Sequence, residues 1–298
     1  MTQSQMEALK GILLWVAFAA GDALLKGMTV PLMRVSARRN DPSVMAGLFA
    51  VFFGLAAAAH AYYTGVLTTV WTLGNDVIVR LLICGLMTAL LWLSLFTALT
   101  GGMASKVGPV VNLAMLPVLV ASHFLYDEPL GLWRLCCILL ILLGTVLMLS
   151  RMQTVRGQYW LVYAALATLL WAGLTLLRKK WFAEGPDWAV YELGVSAVSA
   201  VVLWILVFAR GKQRSIKPIR AAAWVASPLS AFAYAGSFLC NAYAARYGEM
   251  SRLAPLTLLG FASMLLFSRI IARERQPISV FFGAALTLMG MFAILMGW

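Results

Sequence analysis

Residues 105–128 read SKVGPVVNLAMLPVLVASHFLYDE, and residues 251–274 read SRLAPLTLLGFASMLLFSRIIARE. At a constant shift of 146 residues the two stretches align without a gap. Matched apolar residues carry little information, because membrane helices share one composition. Matched basic, proline and acidic positions carry more, and here they are Lys106 with Arg252, Pro109 with Pro255, and Glu128 with Glu274. The alignment predicts that the chain holds two copies of one unit.

The repeat extends beyond this window in both directions. The same shift pairs Gly102 with Gly248 and Gly144 with Gly290. A shift of 152 residues pairs Ala20-Gly21 with Ala172-Gly173 near the start of each copy. These matches predict a first repeat over residues 1–153 and a second over residues 154–298, within one membrane domain.

The composition requires lipid as the solvent for most of the chain. Its 298 residues are 62% hydrophobic and 11% charged, whereas a soluble domain carries roughly 25% charged residues. A spanning helix needs roughly 20 mostly apolar residues. Such segments are predicted at 9–30, 44–63, 77–99, 103–123, 131–150, 158–177, 187–208, 222–243, 251–271 and 278–297. The predicted fold is therefore an all-α membrane protein with ten transmembrane helices.

Five helices per copy is an odd number, so the second copy enters the membrane from the opposite side. An inverted repeat of this kind is typical of secondary transporters, which place the solute near the membrane midplane between the repeats. We therefore expect two inverted five-helix repeats around a central cavity, and transport by alternating access.

The motifs resemble those of the drug/metabolite transporter superfamily, in its EamA-like ten-helix branch. The residues that carry the resemblance are Gly102 to Pro109, the Asp127-Glu128-Pro129 turn and Gly144, with their counterparts Gly248 to Pro255, Glu274 and Gly290. The resemblance implies a bacterial inner-membrane protein that exports metabolites. It also implies a cavity lined by the first, third, fourth, sixth, eighth and ninth spans, and cytoplasmic termini.

Loop charge points to the other orientation. The odd-numbered loops hold 12 Lys and Arg residues, and the even-numbered loops and termini hold 5. Basic residues favour cytoplasmic loops, so this count predicts cytoplasmic odd loops and extracytoplasmic termini. The net charge of +12 is explained by such loops against anionic lipid, and nucleic acid is not expected as a partner.

Charged residues inside spans are the first candidates for chemistry, because each is costly in hydrocarbon. Asp22 and Lys26 lie four residues apart on the first span and so share a face. Asp22 is the candidate for binding a proton or a cationic group, and a plain ion pair is the alternative. His60, His123 and Glu192 lie near span ends, where solvated side chains are expected.

Polar and aromatic stripes provide the candidates for solute binding. On the eighth span Tyr234, Ser237, Phe238 and Asn241 share one helical face. The matched face of the third span holds Thr88 and Trp92. The other candidates are Trp15 with Asp22 on the first span, Asn112 between two prolines on the fourth, and Trp171 on the sixth.

The chain has no catalytic constellation, metal-binding pattern or phosphate-binding glycine loop, so neither an enzyme nor a cofactor or metal is predicted. Its four cysteines have no paired spacing and are expected to be buried, inert thiols. We expect a monomer or homodimer in lipid.

A pocket of aromatic and a few polar groups suits a small neutral or zwitterionic solute. The leading hypothesis is an exporter of amino acids or related amphiphilic compounds. The alternatives are a flippase or transporter of a lipid-linked substrate, and an exporter of cationic amines or drugs.

Overall fold

The computed structural model describes residues 3–126, 131–150, 159–182, 187–247 and 250–296, and within these ranges it contains helices and no strands. The Asp127-Glu128-Pro129 turn and Gly248 lie outside the described residues. The helices are α1 Gln3–Ala37, α2 Pro42–Tyr63, α3 Asn75–Gly101, α4 Ala104–Asn112, α5 Met115–Tyr126, α6 Leu132–Ser150, α7 Tyr159–Phe182, α8 Trp188–Ala209, α9 Ala221–Tyr247, α10 Met250–Ile270 and α11 Ile278–Met296.

These helices confirm the all-α membrane fold. Among the described residues, seven helical stretches are long and apolar enough to cross a bilayer, and three shorter apolar stretches lie in α6, α10 and α11. Together they occupy the ten predicted spans. The fourth span, Ala104–Leu125, consists of α4 and nearly all of α5.

The repeat appears in the helix boundaries themselves. Adding 146 to the first and last residue numbers of α2, α3 and α6 gives the observed bounds of α8, α9 and α11. Asp41 and Asp187, which are matched at this shift, are the N-caps of α2 and α8. Gly65 and Gly211 are also matched, and both adopt positive φ, at 75° and 65°. The backbone therefore repeats at the same shift as the sequence.

The described helices form two compact units, and each unit takes helices from both halves of the sequence. The first unit comprises residues 1–31, 130–153 and 233–298, and the second comprises residues 32–129 and 154–232. The chain passes between the units within α1, after Pro31, and within α9, after Phe232.

In the second unit, α2 packs against α8, its counterpart in the other repeat. A Cβ on Gly47 would contact the Trp204 ring at 3.5 Å, and a Cβ on Gly54 would lie 3.7 Å from the Ser196 hydroxyl. Higher numbers on α2 meet lower numbers on α8, so the helices run antiparallel. Two copies of one helix that run in opposite directions are what an inverted repeat requires.

In the first unit, α6 and α11 pair in the same way and approach to backbone contact. A Cβ on Gly144 would lie 2.6 Å from the Gly283 carbonyl oxygen, and one on Gly290 would lie 2.9 Å from the Cys137 carbonyl oxygen. The repeat shift converts the first contact into the second. The α6–α11 contact is therefore symmetric under exchange of the two repeats.

Two expectations about the first span need correction. The helix was expected to end near residue 30, and it continues to Ala37 because Pro31 is accommodated inside it. Arg34 therefore lies in the last turn of α1 rather than in a loop. Its guanidinium donates to the carbonyl oxygens of Leu99 and Thr100, which end α3 and have no partners within that helix.

The fourth span breaks at Leu113, and Pro117 explains the break. A proline has no N–H to donate to the carbonyl four residues earlier. The Leu113 carbonyl accepts from the Leu116 N–H at 2.9 Å instead, which tightens the turn. The Thr168 hydroxyl of α7 donates to the Val110 carbonyl at 2.9 Å. A neighbouring helix thus supplies one of the partners that a proline-containing span needs.

Candidate functional site

The predicted site residues divide between the two units. Those in the first unit are Trp15, Asp22, Tyr234, Ser237, Phe238 and Asn241; those in the second are Thr88, Trp92, Asn112 and Trp171. The side chain of Asn241 lies outside the described residues. Each unit therefore holds its own part of the predicted site.

Asp22 and Ser237 form a buried polar pair in the first unit. Asp22 on α1 is 2% exposed, and Ser237 on α9 is 4% exposed. The Ser237 hydroxyl donates a hydrogen bond to Asp22 Oδ1. A hydrogen bond to a charged acceptor is stronger than one between neutral groups, so the serine stabilises the carboxylate inside the protein.

Two glycines let α1 and α9 approach closely around this pair. A Cβ on Gly21 would lie 3.0 Å from the Cys240 sulfur, and a Cβ on Gly236 would lie 2.9 Å from Leu25 Cδ1. Along the two helices, higher numbers on α1 meet lower numbers on α9, so they run antiparallel. The small residues place the Asp22 carboxylate within reach of the short serine side chain.

Aromatic rings lie on both sides of the polar pair along these helices. Phe18 of α1 stacks on Tyr243 of α9 with ring centroids 5.4 Å apart. Tyr234 and Phe238, one turn apart on α9, lie 4.9 Å apart. The indole Nε1 of Trp15 is buried and has no hydrogen-bond acceptor among the described residues. This part of the first unit thus combines a carboxylate, aromatic surfaces and an indole donor.

Trp92 has a different environment in the second unit. It is 1% exposed, and its ring makes edge contacts with Phe49 at 5.0 Å and Phe53 at 5.4 Å. Thr88, one turn earlier on α3, is 2% exposed, and its hydroxyl has no hydrogen-bond partner among the described residues. In this structure Trp92 of α3 therefore packs against α2. Its contact with a solute stays a prediction.

Asn112 and Trp171 lie where α4 packs against α7. Asn112 is the last residue of α4, at the break in the fourth span, and it is half-buried. Trp171 is also half-buried, and it lies three residues after Thr168, whose hydroxyl bonds α4. The proline-containing span and the tryptophan therefore belong to one local arrangement in the second unit.

The expectation of a solvated side chain is wrong for Glu192, whereas His60 is half-buried. Glu192 is 5% exposed and its side chain lies against His60, with 3.6 Å between Glu192 Oε2 and His60 Nδ1. The antiparallel register of α2 and α8 brings these residues to one level, 132 positions apart in the sequence. The inverted repeat predicted that the two helices run antiparallel, but it did not predict their contact or their register.

Lys106 is a second buried charge that sequence reasoning placed at a span end. It lies in the first turn of α4 and is 3% exposed. Its repeat match with Arg252 was the available signal.

Two of the four cysteines are buried as predicted, and Cys240 is half-buried. All four are free thiols; Cys84 and Cys137 are buried, and Cys136 is exposed. Cys137 is on the side of α6 that meets Gly290 of α11, so the neighbouring Cys136 points away from that contact. Among the described residues, no group of three or more His, Cys, Asp or Glu side chains could hold a metal ion.

Comparison with known proteins gives a family and a fold. The EamA-like transporter family matches the chain twice, over residues 13–150 and 158–296. No curated protein matches the sequence. One solved structure, described only as the crystal structure of a protein, is similar to this chain with a TM-score of 0.58 and 20% identity, over 91% of this chain and 95% of that chain. The likeness to that structure concerns the fold alone. The two family matches fall on the two halves of the repeat and cover nearly all of the sequence, and the chain therefore belongs to the EamA-like transporter family.

Proposed function

We propose that this protein is a secondary transporter that exports a small zwitterionic or amphiphilic solute, such as an amino acid or a related compound, by alternating access. The observation that carries the proposal is the buried Asp22 carboxylate, held by Ser237 across the contact of α1 and α9. An ionisable residue inside a membrane span is costly and is a functional candidate by default. Its aromatic neighbours suit an apolar solute body.

The roles follow from the chemistry of each group. Asp22 binds either the solute's amino group or a proton, and Ser237 orients its carboxylate. The Trp15 indole N–H donates to an acceptor on the solute, since it has no acceptor among the described residues. Tyr234 and Phe238 offer ring faces, and Asn241 offers amide groups two helical turns from Tyr234. Thr88, Trp92, Asn112 and Trp171 remain proposed solute contacts from the second unit.

Alternating access draws support from the antiparallel contacts of matched helices. The α2–α8 contact in the second unit and the α6–α11 contact in the first each join one helix to its own copy. Two arrangements that exchange the roles of the copies are then close in energy. We propose that transport alternates between them, with the energy supplied by an ion gradient, by exchange or by the solute's own gradient.

Export of a cationic amine is the second candidate, and Asp22 is the observation that favours it. A carboxylate in a site of low dielectric attracts a cation strongly. An amine without a carboxyl group would need no partner for a negative charge. The two candidates differ in whether removal of the solute's carboxyl group weakens binding.

A ligand screen followed by a flux assay tests the proposal. Purified protein is screened by thermal shift against amino acids, their esters and amines, and hits are tested by counterflow in liposomes. Asp22→Asn should abolish the response to hits or remove the pH dependence of their flux, and Trp15→Phe and Asn241→Ala should weaken them. Asp187→Asn, at the N-cap of α8, is the control and should leave the response unchanged. Normal binding and flux in Asp22→Asn would remove Asp22 from the site.

The predicted orientation is tested separately. We propose extracytoplasmic termini because the odd loops carry more basic residues. A reporter fused to the C-terminus that is active only in the cytoplasm should be inactive, and an active reporter would reverse the orientation.

A further inference from the structure

His60 of α2 and Glu192 of α8 form an acid–base pair in the second unit, and the proposed solute site uses neither residue. Glu192 lies in the second turn of α8 and His60 lies one turn before the end of α2. Their side chains are 5% and 14% exposed, and 3.6 Å separates Glu192 Oε2 from His60 Nδ1. This distance allows an ion pair but exceeds that of a hydrogen bond.

The pair is poorly satisfied for two buried polar groups. Glu192 Oε1 and His60 Nδ1 are buried atoms without a hydrogen-bond partner among the described residues. An ionised carboxylate normally accepts several hydrogen bonds, and a buried one without them is costly. Binding one proton removes the net charge of the pair and so relieves this cost.

The neighbouring helices contribute few charges at this level. Tyr191 precedes Glu192 on α8 and accepts a hydrogen bond from Arg178 Nε of α7 at 3.1 Å. Cys84 of α3 is hydrogen-bonded to Tyr191. These contacts place the Arg178 guanidinium beside Tyr191, the residue before Glu192.

The other titratable groups on the packed elements lie at the ends of α2 and α3, and Arg80 precedes Leu81, which packs against Gly194 of α8. Asp76 and Arg80, at the start of α3, pair with each other at 3.9 Å. Tyr62 and Tyr63 end α2 and are 78% and 86% exposed. The 3-10 turn at Val66–Thr72 carries no charged residue. The turn at Lys212–Ile216 packs at the other end of α2, where Lys212 pairs with Asp41.

The repeat indicates that the fold does not need this pair. The positions matched to His60 and Glu192 are Leu206 and Ala46, at the other end of the same α2–α8 contact. The matched positions at that end hold two apolar side chains in place of the acid–base pair. The acid–base pair is thus an addition in one half of a symmetric contact, which favours a chemical role over a packing role.

From this geometry we propose that His60 and Glu192 form a proton-binding site at the α2–α8 contact, separate from Asp22. The empty site holds a neutral imidazole beside a carboxylate and has a net charge of −1. The loaded site holds one proton, taken from water on the side where α2 ends, and has no net charge. The proton is shared between His60 Nδ1 and the Glu192 carboxylate.

The use of this site in transport rests on the proposed function, whereas proton binding does not. Because α2 and α8 are the two copies of one helix, a change in their contact accompanies any exchange of roles between the repeats. Loading the site changes the charge inside that contact. The site would then link proton uptake to the alternation of the two arrangements.

Infrared difference spectra between acidic and alkaline pH test proton binding without any solute. The wild type should gain the absorption of a protonated carboxyl group on acidification, and Glu192→Gln should lose this band. His60→Asn should keep a band with a displaced midpoint pH, because its partner is missing. His123→Asn removes the only other histidine and should leave the band and its midpoint unchanged.

Two results would overturn the site: the same band in Glu192→Gln as in the wild type, or an unmoved midpoint in His60→Asn. The second variant keeps the test decisive if Glu192→Gln fails to fold. Counterflow then separates the two proposals. Absence of flux for every solute, with the band present, contradicts the proposed function alone. Flux with an unchanged pH profile in Glu192→Gln contradicts the link to transport.

Discussion

The contact of α1 with α9 and that of α7 with α3 are equivalent in the repeat, yet they differ in chemistry. Asp22 and Ser237 make the first polar. At the matched positions the second has Leu174 and Leu91, each 2% exposed. All four side chains are buried to nearly the same extent, so the difference is not one of access to water.

This difference separates what the fold needs from what a binding site needs. Both contacts keep a glycine at the matched positions Gly21 and Gly173, where a Cβ would lie only 3.0 Å from a side chain of the partner helix. Close approach of the helices is therefore retained in both copies. The carboxylate is present in only one of the two contacts. This is expected if the carboxylate binds a ligand and is not needed to hold the helices together.

The largest effect is expected when the polar residue is moved into the apolar contact. Leu174→Asp places a carboxylate at a buried position. Leu91, the residue that the repeat matches to Ser237, has no hydroxyl to donate to it. An uncompensated buried charge costs about 3–5 kcal/mol. The yield of monodisperse protein and its Tm in detergent should both fall sharply.

Leu174→Met is the matched control, because a volume-conserving apolar replacement costs less than about 1.5 kcal/mol. If Leu174→Asp is as stable as Leu174→Met, the α7–α3 contact tolerates a carboxylate, and the comparison with α1–α9 loses its meaning.

Removing the serine from the polar contact comes next. Ser237→Ala takes away the hydroxyl that donates to the Asp22 carboxylate, and a hydrogen bond to a charged group contributes about 1.5–3 kcal/mol. Ser230→Ala is the control, since the buried Ser230 hydroxyl donates to the Ser227 carbonyl of its own helix. Thermal unfolding at neutral pH should show a larger loss for Ser237→Ala; equal losses would mean that the carboxylate gains nothing from Ser237.

Much of this architecture follows from one-dimensional patterns in the sequence. Span length and the 146-residue shift predicted the helices, because both depend on composition along the chain. Asp22 was also found, since a charge within an apolar run is visible without a structure. Its bond to Ser237 was not, because it depends on the register between two helices that are 215 positions apart at these residues.

The partner against which a side chain is buried was harder to predict than the helical face on which it lies. Trp92 and Phe238 lie at matched positions, and a shared polar and aromatic stripe grouped them as cavity residues. The structure surrounds Trp92 with Phe49 and Phe53, and neither α2 residue could be assigned to that face beforehand. The position of a side chain on its helix does not state which helix it meets.

The α6–α11 contact should respond alike to substitution in either copy, unlike the contacts above. Gly144→Ala would set a Cβ 2.6 Å from the Gly283 carbonyl oxygen, and Gly290→Ala would set one 2.9 Å from the Cys137 carbonyl oxygen. Forcing extra atoms into a closed contact costs about 1–3 kcal/mol. Both variants should lower the Tm, and Gly144→Ala should lower it slightly more. Ala285→Gly on α11 serves as a control outside the glycine contacts. A loss in only one copy would contradict the symmetry of this contact.

The smallest difference is expected between the two matched helix caps. Asp41 accepts from the Ser43 and Val44 N–H groups and pairs with Lys212 at 3.3 Å, whereas Asp187 accepts from the Ala189 N–H. Loss of an N-cap costs about 1 kcal/mol. Asp41→Ala should therefore lower the Tm somewhat more than Asp187→Ala, and the excess should shrink in high salt because the Lys212 pair is screened.

The pH dependence of this cap has a definite sign. Partial burial acts to raise the pKa of Asp41, but hydrogen bonds from Ser43, Lys212 and Val44 outweigh it, and the net pKa lies below its ordinary value. A lowered pKa in the folded state means that the carboxylate stabilises the fold above the ordinary aspartate value, about 3.9, and that this contribution is lost as the pH falls through the lowered pKa. The Tm difference between the wild type and Asp41→Asn should be constant from neutral pH down to about that value and should shrink only under stronger acid. A difference that instead changes around neutral pH would assign the titration to another group and remove Asp41 as the side chain that distinguishes the two caps.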